Sequence, residues 1–524
     1  MTENNKQKIE IEDSYDVVVI GAGNGGLTAT ATLAQNGLKV LCLEQHNLPG
    51  GVASSFVRGR FEFETSLHEL ASYGPPSKKG SIRRLLEDKL KTDTNFVQVP
   101  EAFRLITTDP EEKMDVFMQF GVENFIDTIE KEVPGSRKSV EDFFKIAKEI
   151  EAAFAYFGKT KGNPDQGVLI KEFPNFLKTA AYSVSEVEVA INMPKKAQDI
   201  LNGYWAYLGI PMSRMNFTLY AVMVLSFAEI GGWIPTNRSH GFTTAIDAKI
   251  HEFGGRIEYN TTVDKILVED GKVVGVETSK GDKIQTNYVI SNASPTLTYS
   301  KLIHPQSEVP EKAFKEINAR IHGLTGFVVY AGLDISAEEL GLTDYSFFIM
   351  NNMDTEGVYD SWRKLEAPNG LACTILNNAV PDCSPPGTCI LDLTTLFRPE
   401  AWKDVTPEEY IKLKTKLAED LMIKFEQATG TSVRDHIEEI EIATPATFAR
   451  YAHLFNGIFY GYEPESWDSI VPRLMIMGKD VHIKGLEFAG GFGRRLHGYS
   501  SAMNDGVLSA QLTLAKILKE REKA

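Results

Sequence analysis

The sequence predicts an α/β fold in which a parallel sheet is assembled from scattered stretches of the chain and a discontinuous α+β domain is threaded between them. Three observations carry that prediction. Asp16-Val17-Val18-Val19-Ile20-Gly21-Ala22-Gly23-Asn24-Gly25-Gly26 runs into a helical stretch and then into Lys39-Val40-Leu41-Cys42-Leu43-Glu44, in the order strand, glycine turn, helix, strand, acid. Two strands joined by Glu269-Asp270-Gly271-Lys272 form a hairpin deep inside the chain, and a further apolar strand, Tyr288 to Ala293, follows them. Late in the chain, Gly485 to Ser501 gives a strand and a glycine-rich basic loop ahead of one more helix.

In the opening unit the apolar run Val17 to Ile20 reads as a buried parallel strand. Gly21 permits the tight turn, Gly23 removes the side chain that would hold backbone N–H groups away from a pyrophosphate, and Gly26 lets the helix approach the strand. Leu27, Ala31 and Ala34 share one helix face, and Asn36-Gly37 supplies a left-handed stop. Glu44 ends the second strand eighteen residues beyond Gly26. A carboxylate there accepts hydrogen bonds from both ribose hydroxyls of an adenosine and repels a 2′-phosphate. The unit is a nucleotide cradle.

Composition sets the outer bounds. The chain has 524 residues, 43% of them hydrophobic, enough for two or more domains. A net charge of −16 argues against general affinity for nucleic acid or anionic lipid. Cys42, Cys373, Cys383 and Cys389 have neither the spacing of a zinc site nor that of a disulfide framework, so a cytoplasmic setting and no metal are expected. Met1 to Tyr15 lacks the apolar core of a secretory signal, and Phe217 to Ala228 is too short to span a bilayer. A peripheral membrane contact stays open.

Along the chain, Asn47-Leu48-Pro49-Gly50-Gly51-Val52-Ala53-Ser54-Ser55-Phe56 is a turn whose N–H groups reach a phosphate or form an ordinary loop. Phe61 to His68 alternates as a strand that ends on its histidine. Residues 75–204 read as mainly helical. Gly203 to Phe227, rich in Tyr, Trp and Phe, fits either a greasy substrate tunnel or core packing. Residues 295–467 alternate strands such as Gly326 to Leu333 with helices such as Pro407 to Gly430. The expected division is 1–75, 231–297 and 468–524 for the nucleotide domain, 76–230 for a helical cap and 298–467 for the substrate domain.

Taken in order, the opening cradle with Glu44 and Gly50-Gly51, Phe63-Glu64-Thr65-Ser66-Leu67-His68, Tyr207 to Arg214, Gly232-Trp233-Ile234-Pro235, the Val263 strand, Tyr288 to Pro295 and the Ala489-Gly490 loop resemble the FAD-dependent phytoene desaturase, carotenoid isomerase and retinol saturase family. The resemblance implies a glutathione-reductase-like FAD-binding fold. It implies Gly21, Gly23 and Gly26 at the pyrophosphate, Glu44 at the adenine ribose, Gly51 and Ser54 near phosphates and ribityl, and the Val263 backbone at the adenine edge. Gly490 and Gly491, with the helix start at Ser501 and Ala502, belong to the same binding set. The sequence departs from the family where its Ala-Gly-Asp becomes Ala489-Gly490-Gly491, which deletes a carboxylate, where its Gly-Gly becomes Asn237-Arg238, and where its glycine-rich helix start becomes Ser501 to Gly506.

A flavin exchanges hydride at N5, and a helix N-terminus near its N1 and C2 favours the anionic reduced form. Arg494, Arg495, His497 and Tyr499 precede that helix, and His68 is a weaker candidate. Paired arginines clamp a carboxylate or a developing enolate, and a Tyr or His delivers a proton opposite the hydride. No second glycine fingerprint is visible, so an external electron donor or acceptor is expected. The expected reaction is saturation, desaturation or isomerisation of a carbon–carbon double bond in an apolar or carboxylated substrate, whether polyene, isoprenoid or unsaturated acid. Two alternatives stand beside it: a flavin amine oxidase, and a non-enzymatic lipid binder resembling the Rab GDP-dissociation inhibitors.

Overall fold

The computed structural model describes residues 12–160, 163–468, 472–473, 482–494 and 496–523. At its centre lies a five-stranded parallel sheet in the order Leu486–Phe488, Val289–Ser291, Val17–Ile20, Val40–Leu43, Arg256–Glu258. These strands come from three separate parts of the sequence, residues 17–43, 256–291 and 486–488. Val17 to Ile20 are all buried, which explains the unbroken apolar run of a strand covered on both faces. The first helix, Asn24–Gln35, covers one face together with the C-terminal helix, Tyr499–Arg521.

The predicted hairpin forms between Val263–Glu269 and Lys272–Thr278, with Asp270 (φ 49°) and Gly271 (φ 69°) in the left-handed turn that suits twisted strands. Lys283–Gln285 and Ile303–His304 extend it into a four-stranded sheet.

A separate, seven-stranded mixed sheet has the order Ile437–Ala443, Thr325–Leu333, Cys389–Phe397, Gly370–Ile375, Ser346–Met350, Phe103–Thr107, Met114–Met118. One face packs Phe327, Val329, Leu391 and Leu393 against Leu417, Leu421 and Phe425 of the long helix Pro407–Thr429. The other face looks into the molecule. The last two strands lie in the stretch expected to be a helical cap, which therefore contributes both to this sheet and to a helical layer. In that layer Arg137–Lys159 packs on Phe217–Ile230, with Phe143 edge-on to Phe217. Among the described residues no helix is long and apolar enough to cross a membrane.

Two expected boundaries move. The strand predicted to end at His68 stops at Glu64, where its pairing with Ser55–Arg58 ends, and Ser66 to His68 continue as irregular chain. The C-terminal helix begins at Tyr499 rather than Ser501, because Gly498 (φ 95°) provides the turn that starts it.

Candidate active site

A single cavity of about 740 Å³ runs from the glycine turn into the space between the central sheet, the helical layer and the inner face of the seven-stranded sheet. Its nucleotide end is set by steric necessity. A Cβ on Gly26 would lie 1.9 Å from the Gly21 carbonyl oxygen, and one on Gly25 would lie 2.5 Å from the Gly490 nitrogen. The two ends of the chain thus meet across the turn, and Gly21, Gly23, Gly51, Gly490 and Gly491 all line the cavity. Gly26 stands behind them and fixes the helix against the strand. The Glu44 carboxylate is buried at the cavity edge, accepting from the Ala22 N–H (2.6 Å) and the His46 N–H (2.7 Å). Val263 lines the same end, together with Thr261, Thr262 and Asp264.

The C-terminal helix directs its first turn at the cavity through Tyr499, Ser500, Ser501 and Ala502. Gly498 gives no side-chain cap, so the first N–H groups stay available to a ligand. The Tyr499 hydroxyl donates to the Val52 carbonyl (2.9 Å) and meets the Ser66 hydroxyl (3.0 Å), which ties this helix to the loop after Gly51.

Several sequence candidates take other places. Ser54 donates to the Gly51 carbonyl (3.1 Å) and is not part of the cavity wall, so it braces the loop. Arg494 is buried behind the wall, in an ion pair with Glu487 at 2.7 Å, and its backbone N–H donates to Asp505. A guanidinium in the interior needs a carboxylate, and Glu487 and Lys516 form that cluster with it. Arg495 lies outside the described residues, so the proposed arginine clamp has no described pair of side chains facing the cavity. His497 lines the cavity, but its Nε2–H donates to the Tyr207 carbonyl (3.0 Å) and its ring stacks on Tyr460 at 4.4 Å. His68 also lines it, with Nε2 3.2 Å from the Thr394 hydroxyl. Burial pushes both histidines down to about 4, so both are neutral at physiological pH.

Beyond the nucleotide end the cavity becomes an apolar chamber. The helix Phe217–Ile230 divides its aromatic and aliphatic residues between two faces: Leu219, Met223 and Phe227 face the cavity, while Phe217, Tyr220 and Val224 enter the core. The tunnel and core readings of this stretch are each half right. Phe348, Met350, Gly370, Ala372, Thr394 and Leu396 form the sheet floor. Glu69 was missed in the sequence; it is buried, lines the chamber and accepts from the Tyr207 hydroxyl at 3.2 Å. Burial, with Glu101 nearby, holds its carboxyl well above the usual range. The signal that was available is an acid directly after the site histidine.

This geometry agrees with comparisons across known proteins. Residues 19–88 match the family described as NAD(P)-binding Rossmann-like domain. The chain is 24% identical to the all-trans-retinol 13,14-reductase of Danio rerio over 97% of this chain and 89% of that protein. It is 25% identical to prolycopene isomerase 2 of an Oncidium hybrid, over 86% of this chain and 76% of that one. Along most of its length the chain is similar to retinol 13,14-reductases and prolycopene isomerases. A putrescine oxidase structure superposes with TM-score 0.64 at 13% identity, covering 97% and 99% of the two chains, and so shares the fold.

The Rossmann-like match over residues 19–88 points to a nucleotide-containing cofactor in the cradle. The residues present fit one: the glycine turn is open because Gly23, Gly25, Gly26 and Gly490 among others lack a Cβ, and an uncapped helix N-terminus faces the same space.

Proposed function

We propose that the protein is an FAD-dependent oxidoreductase that saturates, desaturates or isomerises a carbon–carbon double bond in an elongated, uncharged apolar substrate of the polyene or isoprenoid kind. The observation that carries this reading is the continuity of one cavity from the glycine cradle to an apolar chamber. Gly21, Gly23 and Gly490 would hold the phosphates, Glu44 the adenosine ribose and Val263 the adenine edge. The N-terminus of the C-terminal helix would meet the flavin ring. A flavin held there supplies hydride transfer at N5.

Lys301 is the one lysine or arginine among the described lining residues, and it lies with Asp264 and Leu302 at the nucleotide end. Burial keeps His68 and His497 neutral and holds the Glu69 carboxyl well above the usual range, so these three groups give a carboxylate or an ammonium group no ready charge partner. This favours a neutral polyene over an unsaturated acid, and over the amine of the oxidase reading. An external electron donor or acceptor completes a net redox cycle. Exposed Ile170, Tyr182 and Val189 on the helical layer support a peripheral membrane contact through which such substrates arrive.

The test is reconstitution with FAD and anaerobic reduction, followed by addition of polyenes, isoprenoids, unsaturated acids and amines. Reoxidation by a polyene with gain of two hydrogens, or a change in its double-bond geometry without net redox, supports the reading. Protein that takes up no FAD, or that turns over only amines with oxygen, refutes it.

A further inference from the structure

We propose that the side-chain amide of Asn292 is a direct ligand of the cofactor's phosphate bridge, set at the seam where the two ends of the chain meet. This rests on the FAD reading above. Asn292 follows the strand Val289–Ser291, which lies between Val17–Ile20 and Leu486–Phe488 in the central sheet. Its backbone N–H donates to the Ile20 carbonyl at 2.8 Å, which holds it level with the glycine turn. Ligands of open parallel sheets bind beyond the carboxyl ends of the strands, and Asn292 stands just past such an end.

The glycines around it are arranged to admit its amide. A Cβ would lie 2.7 Å from Asn292 Nδ2 if built on Gly23, 2.8 Å from Oδ1 on Gly25, and 2.1 Å from Oδ1 on Gly490. Gly23 and Gly25 come from the start of the chain and Gly490 from its end, so one side chain touches both halves of the cradle. Asn292 lines the cavity, and no described residue is seen to hydrogen-bond its amide group, whereas Glu44 and Tyr499 in the same wall are each satisfied by protein groups.

Charge makes the same point. A phosphate bridge brings negative charge to a wall that already holds Glu44 and Asp264, and the described lining supplies a single lysine. Donors there must add no acid. A side-chain amide gives two N–H donors at no charge, and a carboxylate in its place would add repulsion.

The experiment titrates full-length apoprotein with FAD and, separately, with riboflavin, which lacks the phosphates, and follows flavin fluorescence alongside thermal melting of the apoprotein. Asn292→Asp keeps the shape of the side chain and is the primary variant; Asn292→Ala is the second. The expected result is FAD affinity weakened about ten- to a hundredfold in Asn292→Ala and by more than about a hundredfold in Asn292→Asp. Riboflavin affinity and the melting temperature of the Asn292→Asp apoprotein should match wild type. Wild-type affinity for FAD in Asn292→Asp overturns the proposal, as does equal weakening toward FAD and riboflavin. So does an Asn292→Asp apoprotein that melts lower yet binds FAD normally. If the wild-type protein itself takes up no FAD, the underlying reading fails along with this one, a result distinct from all the others.

Discussion

At the scale of single residues, steric exclusion and burial decide more than chemical type. Gly26 sits inside a helix, where alanine is ordinarily the better residue, yet its missing Cβ is what lets the helix touch the Gly21 carbonyl. Gly26→Ala should therefore destabilise the protein by about 3 kcal/mol and weaken flavin uptake, both readable by thermal melting and by titration. Arg494 shows the converse. Its position in a basic loop beside the inferred flavin suggests catalysis, but the side chain turns away from the cavity into a buried pair with Glu487. Arg494→Ala leaves that carboxylate with Lys516 alone and should cost about 3 kcal/mol of stability. At a temperature where the variant is folded, its turnover should stay close to wild type; a large loss of turnover without loss of stability would restore the catalytic role. Nothing in the order of residues shows which way a side chain on an irregular loop points.

At the scale of elements, the chamber is shaped by alternation along strands and by two-sided helices. Gly370, Ala372 and Thr394 put small side chains on the inward face of the seven-stranded sheet, while Leu371, Cys373 and Leu393 fill the other face. Volume for a long substrate is thereby kept beside Leu219, Met223 and Phe227. Ala372→Phe should lower kcat/KM for a polyene by about a hundredfold and leave flavin affinity intact, since Ala372 lies on the sheet floor of the chamber and not in the glycine turn. An unchanged kcat/KM would move the substrate elsewhere. The helix Phe217–Ile230 reads as uniformly apolar in sequence, because a core face and a chamber face ask for the same residue types.

At the scale of the molecule, the buried titratable groups set a pH dependence of stability. His68 and His497 are pushed down to about 4 from an ordinary 6.5, so the unfolded chain binds more protons between those values and stability falls as the pH drops through that window. Glu64 and Glu188 are pushed up by burial, to about 7 and about 8, from 4.5. There the folded chain binds more protons, and stability is lost as the pH rises toward those values. The two sets oppose each other at acid pH, and above about 6.5 these two histidines no longer contribute while the two acids do. The melting temperature should decline between about pH 6.5 and 8.5, and Glu188→Gln should flatten that decline. An Glu188→Gln profile parallel to wild type would assign the slope to other groups.

The sequence by itself determined the nucleotide cradle, the hairpin and the return of the chain end to the first sheet. Each is written in local steric terms: glycines where a Cβ cannot fit, left-handed turn residues, and apolar runs of strand length. Gly21, Gly23 and Glu44 are legible in the opening motif, Val263 and Gly490 through the family resemblance, and all of them line the cavity. Only the tertiary structure decided that two strands from the supposed helical cap, Phe103–Thr107 and Met114–Met118, complete the seven-stranded sheet. It also decided that Arg494 is internal, that Glu69 and Tyr207 meet, and that Asn292 sits between glycines from opposite ends of the chain. Those facts depend on contacts between segments tens to hundreds of residues apart, and burial, which sets charge state and orientation, exists only once such segments have packed.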